Sequence, residues 1–317
     1  MVFMKLSGGA EAGDKKDDAY TFFASTTLDN YYQETKFFGY GGVDFGYRKT
    51  MGTNDADDPY SQIQVGAGYG RVYDATPLAK ALRIVEDLKK YGVLSRELSD
   101  AGYLKLAQII DKVNEYETKY SLVEYKKYWY EDMAKVFKED GALVGPELSP
   151  LGVIRIQEII DEERFSTRNH GWLVRAGIGY IVSNYDSGSD EDPTLNAAFE
   201  YYYPISYKLQ FNETLQYTTV LNEDVTHNIS NNLSLTYELS NRIDWENSHI
   251  ITFMLPTENG FKDQVTNTFS SGFYYYLTNS LSASTTLSLT HLEDNIDNNG
   301  NDDVETRLFV GLKYRLF

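Results

Sequence analysis

The sequence predicts an all-β fold with an α-helical insert: an up-and-down antiparallel transmembrane β-barrel of about twelve strands. Three observations predict it. Apolar and polar residues alternate with period two over residues 1–73 and 166–317. Apolar residues of the segment 74–165 recur instead with the period of an α-helix. The links between the predicted strands alternate between long acidic segments and short turns, which places every long loop at one end of an antiparallel meander.

Composition narrows the class of protein. The chain has 317 residues, a net charge of −18 and no cysteine. Disulfides and thiolate metal sites are therefore excluded, and nucleic acid is not expected as a partner because its phosphates favour positive surfaces. No apolar run reaches the roughly 18 residues of a transmembrane helix. The first residues, MVFMKLSGG, lack the apolar core of a signal peptide, so we expect any export signal to have been removed.

The β part divides into two blocks. Residues 1–73 hold four predicted strands, and residues 166–317 hold eight. The predicted strands are 2–8, 18–29, 35–48, 60–73, 168–184, 194–203, 207–220, 226–239, 242–255, 264–277, 280–292 and 303–316.

The two faces of each strand differ in chemistry. The face that begins at Leu281 carries Leu, Ala and Thr, whereas the face that begins at Ser282 carries only Ser and Thr. A water-soluble β-sandwich shows the same alternation with its apolar face inside, and it remains the alternative fold. The apolar faces end in aromatic residues such as Trp172 and Tyr203, as at the interfaces of a membrane barrel. These aromatic ends and the sorted loops favour the membrane barrel.

The segment 74–165 is predicted to be an inserted α-helical domain. Four amphipathic helices are expected from its start and stop signals. The signals are Thr76-Pro77 to Gly92, Ser99 or Asp100 onward, about Val123 to Phe137, and Ser149-Pro150 onward.

The last strand carries a family resemblance. It reads RLFVGLKYRLF and ends in the aromatic Phe317. With this ending, the chain resembles the outer-membrane β-barrel proteins of Gram-negative bacteria, whose final strands are recognised by the barrel-assembly machinery. It departs from their usual pattern in having Arg315 third from the end. The resemblance implies a bacterial outer-membrane location, contact with membrane lipid, and a periplasmic position for the short turns and the helical insert.

Charged residues on the polar faces are the candidate pore residues. By alternation they point into the lumen, where they either line a solute path or pair with one another in a closed barrel. They are Asp44, Arg48, Arg175, Glu200, Lys208, Glu238, Asp244, Glu246, Arg307, Lys313 and Arg315.

The third predicted helix is unusually aromatic. Its residues Tyr125, Tyr128, Trp129 and Tyr130 are spread almost all round the helix. They pack either in the insert's own core or against a partner. We therefore take them as candidate partner-binding residues, with a periplasmic or surface protein bound through residues 76–165.

The acidic loops are candidate divalent-cation sites. Clustered carboxylates suit Ca²⁺, although no EF-hand spacing is present, and a solvated charged surface is the alternative. No other cofactor is expected. The candidate ligands are Asp55, Asp57, Asp58, Asp190, Asp192, Asp297, Asp302 and Asp303.

The sequence offers little support for catalysis. None of the four histidines has a nucleophile at a recognisable spacing, and Ser248 points to the opposite face from His249. We therefore expect a channel or transport pore for small solutes, capped or regulated by the helical insert. The alternative is a non-conducting scaffold that anchors or assembles an envelope or surface component. An outer-membrane hydrolase is the least favoured hypothesis.

Overall fold

The strands form one continuous sheet. The structure is a computed structural model that describes residues 2–11 (backbone only), 19–51, 53, 55–185, 192–222, 225–258, 260–278, 281–296 and 303–314. In this part of the chain, twelve strands lie in sequence order, each antiparallel to the next. The strands are β1 Val2–Glu11, β2 Ala19–Tyr31, β3 Phe37–Lys49, β4 Tyr60–Asp74, β5 Asn169–Ser183, β6 Pro193–Ser206, β7 Leu209–Val220, β8 Thr226–Ser240, β9 Ile243–Pro256, β10 Gln264–Tyr276, β11 Leu281–Glu293 and β12 Glu305–Tyr314.

The connections are sorted by side as the sequence predicts. The links that follow β2, β6, β8 and β10 are short, and the helical segment follows β4 on the same side. The links that follow β1, β3, β5, β7, β9 and β11 lie at the opposite end. We call these the turn end and the loop end. The all-β antiparallel meander is thus confirmed, as a single sheet and not as two packed layers.

One face of the sheet, here called the outer face, exposes its apolar side chains. On β4 and β5 the side chains of the large residues Val65, Val174 and Ile178 are exposed. The opposite, inner face carries polar and charged groups, several of them buried, such as Gln62 and Asp244. Burial of polar groups beside exposure of apolar ones is the reverse of a water-soluble sheet, and it matches a sheet whose outer face meets lipid.

The last strand differs from its neighbours. Among the described residues β12 pairs only with β11, and both of its faces are open: Phe309 is 63% exposed and Val310 is 70% exposed. The unpaired edge of β12 therefore leaves backbone hydrogen-bonding groups available for another strand.

The helical segment supplies the main apolar core. It contains α1 Thr76–Lys90, α2 Asp100–Asp111, α3 Val113–Glu139 and α4 Pro150–Gln157, the last continued by a π-helical turn over Glu158–Glu162. Its fully buried residues come from all of these helices. The four amphipathic helices therefore pack on one another. Among the described residues, none of the helices combines the length and the hydrophobicity needed to span a bilayer.

The helix boundaries correct two expectations. The third helix begins at Val113, ten residues before the predicted start, and its two halves meet at Ser121, whose φ of 71° breaks the helical backbone. Thr76 does not cap α1 with its side chain; its Oγ1 instead accepts a hydrogen bond from the backbone of Arg168. Ser99 and Ser149 cap α2 and α4 as predicted, each accepting from the glycine three residues on.

Asp140 joins the start of α2 to the end of α3. Its carboxylate accepts hydrogen bonds from the hydroxyl and, at 2.9 Å, from the backbone N–H of Ser99, and Arg96 lies 3.6 Å away. These Ser99 hydrogen bonds, followed by the Arg96 charge, lower the pKa of Asp140 below its usual value.

We expect this contact to weaken in acid. Because the pKa of Asp140 is lower in the folded state, its stabilisation is present above the unfolded-state pKa of about 3.9 and is lost as the pH falls through the folded-state value. Urea unfolding of the helices should therefore show a smaller loss of stability below pH 4 in Asp140→Asn than in the unmodified chain. Equal acid sensitivity of the two proteins would contradict this role.

Candidate functional site

The inner face encloses a polar cavity. Its volume is about 260 Å³, and β2 to β7 all contribute to its wall. The lining residues are Ser25, Thr27, Tyr40, Asp44, Gln62, Gln64, Arg175, Asn196, Ala197, Ala198, Glu200, Gln216, Tyr217 and Thr218. Side chains of one sheet thus converge across several strands, and the site is lined by hydroxyls, amides and charges.

Arg175 of β5 is the centre of the charged part of the cavity. Its Nη2 lies 3.0 Å from Oε1 of Glu200 and 3.5 Å from Oδ2 of Asp29, across three strands. The guanidinium also lies over the rings of Tyr40 and Phe38, at 5.6 and 5.9 Å from their centroids. Its Nε and Nη2 are shielded from solvent and make no geometrically aligned hydrogen bond among the described residues.

A second charged cluster lies at the turn end, where the helical segment meets the sheet. Glu238, at the end of β8, is only 1% exposed. One of its oxygens accepts from Nη2 of Arg168 at 2.7 Å, and the other accepts from Nη2 of Arg83 at 2.6 Å. Arg83 belongs to α1, and Arg168 lies in the segment that leads into β5. Two arginines of the insert and its exit are therefore buried against one carboxylate of the sheet.

A second carboxylate completes this cluster. Asp244 of β9 lies directly opposite Glu238 in the strand register, an arrangement of like charges that is unfavourable by itself. Asp244 accepts from the hydroxyls of Ser166, at 3.2 Å, and Tyr276, at 2.9 Å, while Ser166 also donates its N–H to Glu238 at 3.1 Å. We call Arg83, Ser166, Arg168, Glu238 and Asp244 the mouth cluster; these residues join the helical segment to the turn end of the sheet.

The two ends of the insertion are tied to each other. The N–H of Ala75 donates to the carbonyl of Arg168 at 2.7 Å, and the N–H of Arg168 donates to Oγ1 of Thr76 at 2.9 Å. The guanidinium of Arg168, which is fully buried, also donates to the carbonyls of Ser166 and Tyr207. The chain thus leaves and re-enters the sheet at one place beside the mouth cluster.

Five of the predicted pore residues lie at two shared sites, and the others are scattered. Asp44, Arg175 and Glu200 share the cavity, and Glu238 and Asp244 share the mouth cluster. Glu246 is on the inner face opposite Thr236, and Lys313 lies opposite Ser282. Arg48 pairs with Asp57 at 2.5 Å, and Arg307 pairs with Glu305 at 2.6 Å. Arg315 is outside the described residues.

Lys208 differs from the prediction. It does not lie on a strand but in the two-residue turn between β6 and β7, and its side chain lines a cleft between the rim of the sheet and α1. The tight turn at Tyr207-Lys208 ends the strand alternation there, so parity does not place Lys208 in the lumen.

The acidic loops show no gathered metal site in the part of the chain that the structure describes. Asp57 is paired with Arg48, and Asp192 accepts from Asn222 at 3.3 Å. Asp55, Asp58 and Asp303 are exposed, while Asp190, Asp297 and Asp302 fall outside the described residues. The Ca²⁺ sites therefore stay a prediction.

The aromatic residues of α3 serve mainly the insert's own core. Trp129 is 2% exposed and donates its indole N–H to the carbonyl of Ile109 at 2.7 Å, so it is not available to a partner. Tyr125 packs against the same core, and Tyr128 stacks on Tyr120 with ring centroids 4.1 Å apart. Tyr130 is also buried, but it reaches the edge of a groove between α3 and α4.

This groove, here called the α3–α4 groove, is the most apolar depression among those described. It has a volume of about 540 Å³ and is lined by Lys127, Tyr130, Glu131, Ala134, Lys135, Lys138, Leu143, Glu147, Leu148 and Val153. The Tyr130 hydroxyl has no hydrogen-bond partner among the described residues, and burial raises its pKa, so it stays protonated. The groove thus combines an apolar floor with a lysine-bearing rim.

Two of the four histidines contact polar residues of a neighbouring strand. The ring of His249 lies 2.7 Å from the amide oxygen of Asn267, and that of His227 lies 2.9 Å from the hydroxyl of Tyr217. Neither contact includes a serine, threonine or cysteine, and the absence of catalysis stays a prediction.

Arg83 and Arg168 are the important residues that sequence reasoning missed. Arg83 is hidden in the pattern of an amphipathic helix, and Arg168 lies in a link. The position of Arg168 next to the first residue of β5 was a usable signal, because a basic residue there can reach carboxylates at the ends of neighbouring strands. Asp29 was also missed, although it shares strand parity with Ser25 and Thr27 of the cavity.

Part of the chain matches a protein family. Residues 163–275 match the family described as "Protein of unknown function, DUF481", a region that contains most of the mouth cluster. No curated protein matches the chain. Among solved structures it is similar to the NanC porin (9% identity, 99% of each chain, TM-score 0.33). It is also similar to OmpT, an outer membrane protein of Vibrio cholerae (12% identity, 99% of this chain and 95% of that one, TM-score 0.33).

A third solved structure has lower similarity. The chain is similar to a mutant porin of Rh. blastica (7% identity, 99% of each chain, TM-score 0.25). By their names, these neighbours are two porins and one outer membrane protein.

Proposed function

We propose that this outer-membrane β-barrel is a narrow channel for small polar solutes, closed at its periplasmic mouth by the helical segment. One observation carries the proposal. The mouth cluster buries Arg83 and Arg168 against Glu238 at the turn end, which ties the insert to the end of the sheet where we place the opening. In outer-membrane barrels the short turns face the periplasm, which gives the cap its side of the membrane.

The channel requires that the sheet close. An unpaired strand edge is not tolerated in lipid, because no water is present to satisfy its backbone groups. Twelve antiparallel strands place β1 and β12 in opposite directions, so their pairing would continue the pattern of the sheet. We propose that β12, whose edge is open, pairs with β1.

The cavity indicates the class of solute. Arg175 supplies one positive charge, and Asp29, Asp44 and Glu200 supply up to three negative ones. Excess negative charge in a confined polar space favours cations over anions. We therefore propose small neutral or cationic polar solutes, with Arg175 orienting their acceptor groups.

Conductance across a planar bilayer tests the cap. We expect low conductance from the intact protein, and higher, cation-selective conductance when residues 76–165 are replaced by a short Gly-Ser linker. The replacement should leave the sheet intact, because the N–H of Ala75 already contacts the carbonyl of Arg168.

Heat-modifiable gel migration of the replacement variant is the control for a folded barrel. Equal conductance of the two folded proteins would show that the helical segment is not a cap. The absence of conductance in both would contradict the channel itself.

A second candidate function is a non-conducting scaffold that binds a periplasmic or surface protein. The α3–α4 groove favours it, because an apolar floor with a lysine-bearing rim fits a peptide segment. The scaffold would be supported if neither the intact protein nor the linker variant conducts and if the intact protein binds a partner saturably. Tyr130→Ala should abolish that binding. Neither candidate function assigns catalysis to the chain.

A further inference from the structure

The outer face of β7 to β10 departs from the apolar pattern. On β4 and β5 the outward positions carry mainly Ile, Val, Ala and aromatic residues. On β7 to β10 the corresponding positions include five strongly polar side chains. We call them the outer polar patch: Glu213, Asn231, Asn247, His249 and Asn267.

The strand register brings these residues together. Glu213 of β7 pairs with Leu233 of β8, and Leu233 pairs with His249 of β9, so the carboxylate and the imidazole flank one leucine in one row. In the adjacent row, Asn231 and Asn267 flank Ile251. The patch lies well inside its strands, since β9 spans Ile243–Pro256 and His249 is near its midpoint.

These groups are only partly satisfied within the chain. The ring of His249 is bonded to Asn267 at 2.7 Å. In contrast, Oδ1 of Asn231 and Nδ2 of Asn247 are shielded from solvent yet make no hydrogen bond to any described residue. Polar groups on the lipid face of a barrel are most destabilising near the bilayer midplane, where neither water nor lipid headgroups can bond to them. The two asparagine atoms are enclosed by their own chain, but the half-buried Glu213 and His249 and the exposed Asn267 remain open to contact from another protein surface.

We propose that a second copy of this chain covers the outer polar patch in the membrane. This inference rests on the proposed lipid-embedded barrel. Both copies have the same orientation, so a two-fold axis along the membrane normal sets β8 against β8 and places the β7 side of one copy opposite the β9 side of the other. The acidic Glu213 then faces the His249 side, and asparagine amides meet asparagine amides, which supply both donors and acceptors.

Site-specific cross-linking tests this arrangement, because the natural chain has no cysteine. Leu233 lies at the centre of the patch, near the proposed axis. We expect Leu233→Cys in lipid vesicles to be joined into a dimer by a short bis-maleimide reagent. Ile178→Cys, an exposed outward position on β5, is the matched control and should remain monomeric. Equal cross-linking of the two variants, or none in either, overturns the proposal.

A second set of variants tests the chemistry of the contact. Analytical ultracentrifugation of Asn231→Leu/Asn247→Leu in detergent should show dimer dissociation raised about tenfold or more relative to the natural chain. The proposal is overturned if the double variant associates more tightly than the natural chain, or if both proteins are monomers. Heat-modifiable migration separates the two hypotheses: a folded barrel that is monomeric rejects the dimer alone, whereas loss of heat-modifiability rejects the membrane barrel as well.

Discussion

Replacing Glu238 with alanine should release the helical segment from the turn end. The change leaves Arg83 and Arg168 buried without their shared partner, and removing one member of a buried ion cluster costs about 3–5 kcal/mol. We expect proteolysis within residues 76–165 to become faster and the conductance of the barrel to rise. Limited proteolysis and planar-bilayer recording of the same preparation measure the two effects.

Two control variants separate the mouth cluster from a general loss of stability. Glu305→Ala removes a carboxylate from the exposed ion pair with Arg307, and its effect should stay within about 1 kcal/mol. The triple variant Arg83→Met/Arg168→Met/Glu238→Met removes these three charges together and should release the helical segment less than Glu238→Ala does, because the carboxylates that lose a neighbouring arginine, Glu163 and Asp244, keep other hydrogen-bond partners. A closed, protease-resistant Glu238→Ala protein would contradict the role given to this carboxylate.

Replacing Phe137 with alanine should unfold the helical segment while the sheet stays folded. Phe137 is fully buried among residues of all four helices, and a Phe-to-Ala change in such a core costs about 3–5 kcal/mol. The sheet does not share this core. We expect loss of the helical circular dichroism signal at low urea, with unchanged heat-modifiable migration.

Val123→Ala is the control for this second prediction. Val123 is 90% exposed, so its truncation should change the stability of the helices by no more than about 0.5 kcal/mol. Loss of the helical signal and of heat-modifiable migration together in Phe137→Ala would show that the helices and the sheet fold as one unit.

The sequence predicts the strands well because the pleat imposes one rule on every residue. On β11, Leu281 and Ser282 point to opposite faces because successive side chains of any strand do so. The lengths of the links in a meander can likewise be read from the chain itself. Neither feature depends on distant contacts. The strand positions and the sorting of loops could therefore be inferred before any tertiary structure.

The mouth cluster could not be inferred in the same way. Arg83 reaches Glu238 across 155 positions of the chain, and no periodic pattern records that contact. The early start of α3 has a similar cause, since the break at Ser121 is a single backbone conformation that residue propensities do not reveal. Long-range packing, not local preference, decides both features.

The meeting of the insertion's two ends at Ala75 and Arg168 makes the helical segment an exchangeable module. The flanking strands β4 and β5 are already paired residue by residue up to Asp74 and Asn169, so their alignment does not depend on what is carried between them. We expect that a foreign domain with closely spaced termini could be transplanted at this junction without re-engineering the transmembrane wall. The junction is thus a natural attachment point for sensors or adaptors displayed on one side of a membrane.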